Sequence, residues 1–321
     1  MIFQRLASGL LASVLLASLA AAQTFPSKPV RIVVPFGAGG VADLTARTVA
    51  QKLGESLGQP VVIENKPGAG GVVAGDAVAK AEPDGHTLLL MSNGTAVSAG
   101  LFKSLPFDTA RDFAPISTLG FFDIAIVTPA DSKFKTLGEL LAFAKANPGK
   151  LNIGTINVGS TQNLTAELFK ISAGADLQIV PFNGTPAVIT ALRGGQIDAA
   201  VEILGPVLPQ IKANALRALA VTGEKRAAVL PDVPTAKESG LPAFVASSWN
   251  ALAAPAKTPK DVIARLNREI AAAVNSPDVK KKLADLNVEA RASSPEQAAE
   301  LLASETKRWG EVITRAKIPT Q

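Results

Sequence analysis

The 321-residue sequence contains one histidine and no cysteine, and these two facts limit the chemistry it can perform. His86 sits in Pro83-Asp84-Gly85-His86-Thr87, a turn leading into an apolar run. A Ser-His-Asp hydrolase would have to use it, yet no Gly-x-Ser-x-Gly elbow supplies a nucleophile. Without cysteine there is no disulfide framework, thiolate metal site or thiol nucleophile. One histidine and scattered carboxylates make neither a transition-metal set nor a calcium loop. The sequence therefore predicts no enzyme, no catalytic residue, no metal and no cofactor. An exported hydrolase remains the remote alternative.

What the residue types do offer is a means of holding an anion. Gly37-Ala38-Gly39-Gly40 falls between a β-branched run and a helical pattern, where unpaired backbone N–H groups of a helix start attract negative charge. It is not the dinucleotide fingerprint, because the spacing from Gly37 puts Ala42 at the third glycine position. Glycine there lets a ligand approach the backbone closely. Gly159-Ser160-Thr161 and Phe182-Asn183-Gly184-Thr185-Pro186 stand in the same relation to two later helices. In a parallel sheet such loops gather at the carboxyl ends of the strands, where ligands bind.

The elements that must position these loops follow from periodicity. Val30–Pro35, Pro60–Glu64 and Thr87–Met91 read as strands, with helices over 42–57 and 72–81 between them. The order then restarts, with strands over 123–128, 151–155, 178–181, 197–201 and 216–222 and helices over 137–147, 163–172 and 186–193. A returning strand at 247–254 and helices over 259–275, 277–286 and 295–316 complete the chain, the last with Ser293 or Ser294 as its N-cap. This alternation predicts an α/β chain of two lobes, each a mostly parallel sheet flanked by helices. The crossings are expected near Phe121 and Trp249, so that 23–121 with 250–321 form one lobe and 122–249 the other. Two crossovers make a hinge, and the terminal helices are expected to brace the first lobe.

Composition sets the class of partner. The net charge of +5 is mild and not concentrated, and the chain has no tyrosine, which gives nucleic-acid binding little support. A modest positive bias suits attraction of small anions. Residues 1–22 carry one charge, Arg5, then an apolar run from Leu10 to Leu19 and Ala20-Ala21-Ala22, the pattern of a secretory signal peptide. The run is too short to span a bilayer, so the expectation is a mature, periplasmic chain with no membrane insertion, monomeric by default.

Across the mature chain, ordered motifs accumulate: Phe25-Pro26-x-Lys28-Pro29, Glu64-Asn65-Lys66-Pro67-Gly68-Ala69-Gly70-Gly71, Pro83-Asp84-Gly85-His86-Thr87-Leu88, Gly194-Gly195-Gln196-Ile197-Asp198 and Leu230-Pro231-Asp232-Val233-Pro234-Thr235. Together they resemble the substrate-binding proteins of tripartite tricarboxylate transporters, the Bug family. The resemblance implies a Venus-flytrap fold of type II-like topology that closes on a small organic carboxylate (a dicarboxylate, tricarboxylate, acidic amino acid or aromatic acid) and delivers it to membrane transporter subunits. Docking on a receptor kinase is the alternative. Implied first-lobe contacts are Phe36, Ala38, Gly39, Gly40 and Asp43 with Ser92, Asn93, Gly94 and Thr95. Implied second-lobe contacts are Gly159, Ser160 and Thr161 with Phe182, Asn183 and Gly184. The sequence departs from the family at two positions. Asn163 stands where histidine is common, and Glu202 where an aspartate or an apolar residue is frequent. Both join the expected site, Glu202 as a partner for an amino or hydroxyl group of the ligand, since a buried unpaired carboxylate would be costly.

Overall fold

The structure, a computed structural model, describes residues 25–320; the signal-peptide expectation for 1–22 lies outside them. Strand β1 (Val30–Val34) leads through a glycine-rich loop into helix α1 (Val41–Leu57). The buried positions of α1, among them Val41, Thr45, Ala46, Val49, Ala50 and Leu53, recur at three- and four-residue spacing and cover one face of the sheet. Strand β2 (Val61–Asn65), a short 3₁₀ turn (Ala69–Gly71), helix α2 (Val72–Ala79) and strand β3 (Thr87–Ser92) follow. Helix α3 (Asn93–Leu101) precedes the longest strand, β4 (Phe113–Pro129).

The next unit runs α4 (Leu137–Ala146), β5 (Asn152–Ile156), α5 (Thr161–Ala173), β6 (Gln178–Phe182), α6 (Thr185–Arg193), β7 (Ala199–Ile203), α7 (Leu204–Lys212) and β8 (Leu216–Val221). The chain returns through β9 (Ser247–Pro255), α8 (Lys260–Asn275), α9 (Pro277–Asp285), β10 (Val288–Ala290) and α10 (Pro295–Ala316).

Each lobe contains a parallel trio extended by antiparallel strands. In the first, β1 lies parallel between β2 and β3, while β9 inserts antiparallel between β3 and β4. In the second, β5 lies parallel between β6 and β7, and β4 lies antiparallel between β7 and β8. Strand β4 serves both sheets. Its pairing with β9 runs to Asp123↔Ser247, and its pairing with β7 begins at Ile124↔Ile203. The mixed pairing has a different source in each lobe: β9 runs against the first trio and leaves β4 in the same sense as that trio, whereas β4 itself runs against the second.

Three apolar clusters form the core. One fills the outer face of the first lobe around Ile32, Leu53, Leu88, Leu252 and Leu266. Another fills the second lobe around Val127, Val188, Leu192 and Leu204. The largest is continuous through both lobes, from Leu89 and Leu101 to Leu164, Phe169, Trp249 and Trp309.

The terminal helix departs from expectation. Ser294 caps α10 with a full capping box to Gln297, and the helix packs on α3 and β4 but also on α5 of the second lobe. It therefore braces both lobes. Gly100 permits the close approach of α3, since a Cβ there would lie 3.2 Å from Ile313 and 3.5 Å from the Gly310 backbone. The Arg308 guanidinium donates to the Val245 carbonyl just ahead of β9, and the buried Trp309 Nε1–H donates to Glu305 Oε2 at 2.7 Å.

Candidate functional site

The loop from Phe36 to Gly40 is exposed throughout, and its shape is set by Asp43 in the first turn of α1. Gly39, at φ 83°, donates its N–H to Asp43 Oδ2 at 2.8 Å. Arg47 Nε donates to both Asp43 oxygens at 3.1 and 3.0 Å. Asn65 Nδ2 donates to Asp43 Oδ1 at 2.9 Å and to the Phe36 carbonyl at 3.0 Å. Burial of Asp43 acts to raise its pKa, but the hydrogen bonds from Arg47, Gly39 and Asn65 and the Arg47 charge outweigh it and hold the carboxyl below its ordinary value. Both oxygens of Asp43 are thus used by this chain.

The second expected first-lobe segment begins α3. Ser92 Oγ accepts the Gly94 N–H at 3.1 Å, and Thr95 Oγ1 accepts the Ser92 N–H at 3.2 Å, a capping box that occupies both hydroxyls. Asn93 is fully buried; its Nδ2 donates to the Ser247 carbonyl at 2.9 Å, and its Oδ1 has no partner among the described residues. A Cβ at Gly94 would lie 3.5 Å from the Gly70 carbonyl and 3.9 Å from the Phe36 ring. The three glycine-bearing loops of the first lobe therefore converge on one spot.

The second lobe repeats the device. Gly159, at φ 80°, donates its N–H to Asn163 Oδ1 at 3.2 Å. Asn163 Nδ2 donates to Thr155 Oγ1 at 3.3 Å, and its own N–H to the N-cap Ser160 Oγ at 3.1 Å. A Cβ at Gly159 would come within 2.3 Å of Leu101 Cδ2, so this turn touches α3 across the lobes. Phe182 and Asn183 lead to Gly184, the N-cap of α6 at φ 99°, which has no side-chain cap of its own.

Glu202 lies on β7 opposite Ala125 and is fully buried. Its Oε2 accepts from Thr185 Oγ1 at 2.9 Å and from Gln162 Nε2 at 3.4 Å, while Oε1 has no partner among the described residues. Burial pushes the carboxyl up to about 7, against the opposing effect of hydrogen bonds from Thr185, Gln162 and the Ile203 backbone. Thr185 opens α6 and Gln162 lies in the first turn of α5. Glu202 thus joins the two second-lobe loops from beneath.

Four residues that the sequence reading did not assign to the site help to build it. Arg47 could have been found from its i,i+4 spacing to Asp43, and Asn65 from its place at the end of a strand beside β1. Gln162 and Thr185 flank expected residues, but only the fold brings them to Glu202. His86 is structural: its Nε2 accepts the Ser27 N–H at 3.1 Å, Nδ1 lies 3.2 Å from Asp84 Oδ2, and its ring meets Phe25 edge-on. A cavity of about 710 Å³ opens at the strand crossing, lined by Phe121, Asp123, Arg226, Asn287 and Glu289 among others, and none of the expected site residues lines it. Among the described residues no cluster of three or more histidines and carboxylates could hold a metal ion.

Two α/β lobes on a shared strand, with matched glycine loops at helix starts, define a solute-binding protein of the periplasmic type. Residues 45–318 match the family described as the tripartite tricarboxylate transporter family receptor, and the chain belongs to that family. Solved structures agree. The periplasmic binding protein BugD is 31% identical with a TM-score of 0.83, covering 92% of this chain and 100% of BugD. Rpa4515 of R. palustris with adipate is 31% identical with a TM-score of 0.85, covering 92% and 99%. MatC of Rhodopseudomonas palustris with bound malate is 33% identical with a TM-score of 0.81, covering 90% and 100%.

Proposed function

We propose that this protein is exported to the periplasm, captures a small organic carboxylate between its lobes without transforming it, and hands it to the membrane subunits of a tripartite transporter. The observation that carries this reading is the paired loop device. Gly39 and Gly159 each lie in the turn that opens a helix, and each is fixed by a side chain at the third helical residue. Preorganised N–H groups at two helix starts attract an anion, and pre-ordering them lowers the entropic cost of binding. Adipate and malate in the two R. palustris relatives support a carboxylate as the ligand class.

The proposed contacts are the backbone of Phe36, Ala38, Gly39 and Gly40 with Ser92, Asn93, Gly94 and Thr95 on one side. On the other they are Gly159, Ser160, Thr161, Phe182, Asn183 and Gly184, with Glu202 beneath. Asp43 and Asn163 act as positioning residues, because their polar atoms already bond within the chain. The change of partner along β4 between Asp123 and Ile124 supports the expected division into 122–249 and the two segments that flank it, which we propose move against each other on capture.

Thermal melting of the mature protein against mono-, di- and tricarboxylates, with amino acids and sugars as controls, tests the reading. A ligand of the native state stabilises by about 2.7 kcal/mol at a hundredfold excess over its Kd. A selective rise in Tm with an acid supports carboxylate capture; a rise with a sugar alone refutes it.

A further inference from the structure

We propose that Glu202 binds the ligand as a neutral carboxylic acid, donating a hydrogen bond from Oε1 to a second acceptor oxygen of the bound acid. This rests on the carboxylate-capture reading and deepens it. The ligand must then present two oxygen-bearing groups, a carboxylate for the glycine loops and an acceptor for the second lobe.

The geometry assigns the two oxygens of Glu202 different parts. Oε2 already accepts two hydrogen bonds, from the Thr185 hydroxyl and the Gln162 amide, as the carbonyl oxygen of a carboxylic acid would. Oε1 is buried and meets no hydrogen-bond partner among the described residues, and an unpaired buried polar atom is costly. A protonated Oε1 is a donor waiting for an acceptor. The elements packed around β7 carry Asp123 on β4, Glu167 and Lys170 on α5, Arg193 on α6 and Lys212 on α7. None of these is a hydrogen-bond partner of Glu202, and burial, not a neighbouring charge, is the leading cause that raises its pKa to about 7. An incoming anion would favour the neutral form further. The proton comes from solvent, so ligand binding takes up a proton.

This differs from the expectation that Glu202 pairs with an amino or hydroxyl group of the ligand. An ammonium partner needs the ionised carboxylate, and the two arrangements respond oppositely to pH. If only the protonated form is competent, affinity falls with its population, by roughly tenfold between pH 6 and pH 8 for a group titrating near 7.

The test is calorimetric titration of the mature protein with malate, adipate and hexanoate at pH 6 and pH 8, in wild type and Glu202→Gln. Hexanoate is adipate without the second carboxylate. The expected result is roughly tenfold weaker binding of malate or adipate at pH 8 in wild type, no pH dependence in Glu202→Gln, and no pH dependence for hexanoate. Affinity that is flat or rises with pH for both diacids in wild type overturns the proposal alone. Absence of binding by all three acids at both pH values removes the capture reading and the proposal with it. Should Glu202→Gln fail to fold, proton uptake by wild type at pH 7, measured in buffers of different ionisation heat, decides the matter. Uptake with malate or adipate upholds the proposal, and none overturns it.

Discussion

Asp43 and Asn163 occupy the same place in the two lobes: each is the third residue of its helix and accepts the N–H of a left-handed glycine four residues earlier, Gly39 at 2.8 Å and Gly159 at 3.2 Å. The two glycines differ by only a few degrees, at φ 83° and 80°. What differs is charge. Asp43 adds a guanidinium partner in Arg47, whereas Asn163 leans on the neutral Thr155 hydroxyl.

Removing the charged member has a predictable cost. Asp43→Ala loses the Gly39, Arg47 and Asn65 bonds together and is expected to destabilise by about 1–3 kcal/mol, read from denaturant unfolding at pH 7. Because the native carboxyl titrates below its ordinary value of 3.8, its contribution is fully present above that value and is lost as pH falls through the lower native one. The gap between wild type and variant therefore narrows in acid. A gap unchanged at the lowest pH at which wild type stays folded would contradict this.

The two glycines separate backbone strain from lobe contact. Gly39→Ala meets open space and is expected to cost only the left-handed conformation, about 1–2 kcal/mol. Gly159→Ala also drives a methyl group into Leu101 and is expected to cost more. Adding Leu101→Ala to Gly159→Ala should recover the difference, seen as a coupling energy in a double-mutant cycle.

Glu202 predicts an opposite pH response in the ligand-free protein. A carboxyl raised from 4.5 to about 7 by burial weakens the fold as pH rises between those values, since the unfolded chain there binds fewer protons. Glu202→Gln lacks this penalty. Its stability relative to wild type is expected to increase from pH 5 to pH 8, by at most about 3 kcal/mol. Chemical denaturation at both pH values measures it, and a constant difference would refute it.

Trp309 tests the brace. It is fully buried in the cluster shared by both lobes, and Trp309→Ala is expected to cost about 3–5 kcal/mol. The only other tryptophan, Trp249 on β9, then reports unfolding alone. Trp249 fluorescence and far-ultraviolet circular dichroism should move together to a lower midpoint; divergence of the two would mean that the lobes unfold separately.

Much of the architecture was readable because strands and helices alternated with clear periods, and the glycine loops marked helix starts. The first half of β4 was not, because Pro115 and Gly120 interrupt Phe113–Phe122, and both residues ordinarily argue against a central strand. Helix α7 is hidden in the sequence for a similar reason: Pro206 and Pro209 lie within its nine residues. In the site, local patterns mark the loops but not their wiring. The joining of Glu202 to Gln162 and Thr185 depends on the lateral order of β5, β6 and β7, which no local pattern encodes. Sequence spacing alone assigns α10 to one lobe; its contact with α5 depends on how the lobes stand to each other.

The insertion of β9 between β3 and β4 carries a consequence for the order of assembly. Ser92 pairs with Asn250 and Leu89 with Ala253, so the first sheet stays split, with the β3 edge open, until the chain has been made past residue 255. Contacts so distant in sequence are slow to form. A nascent chain of this topology lingers without its native sheet while the second lobe is synthesised.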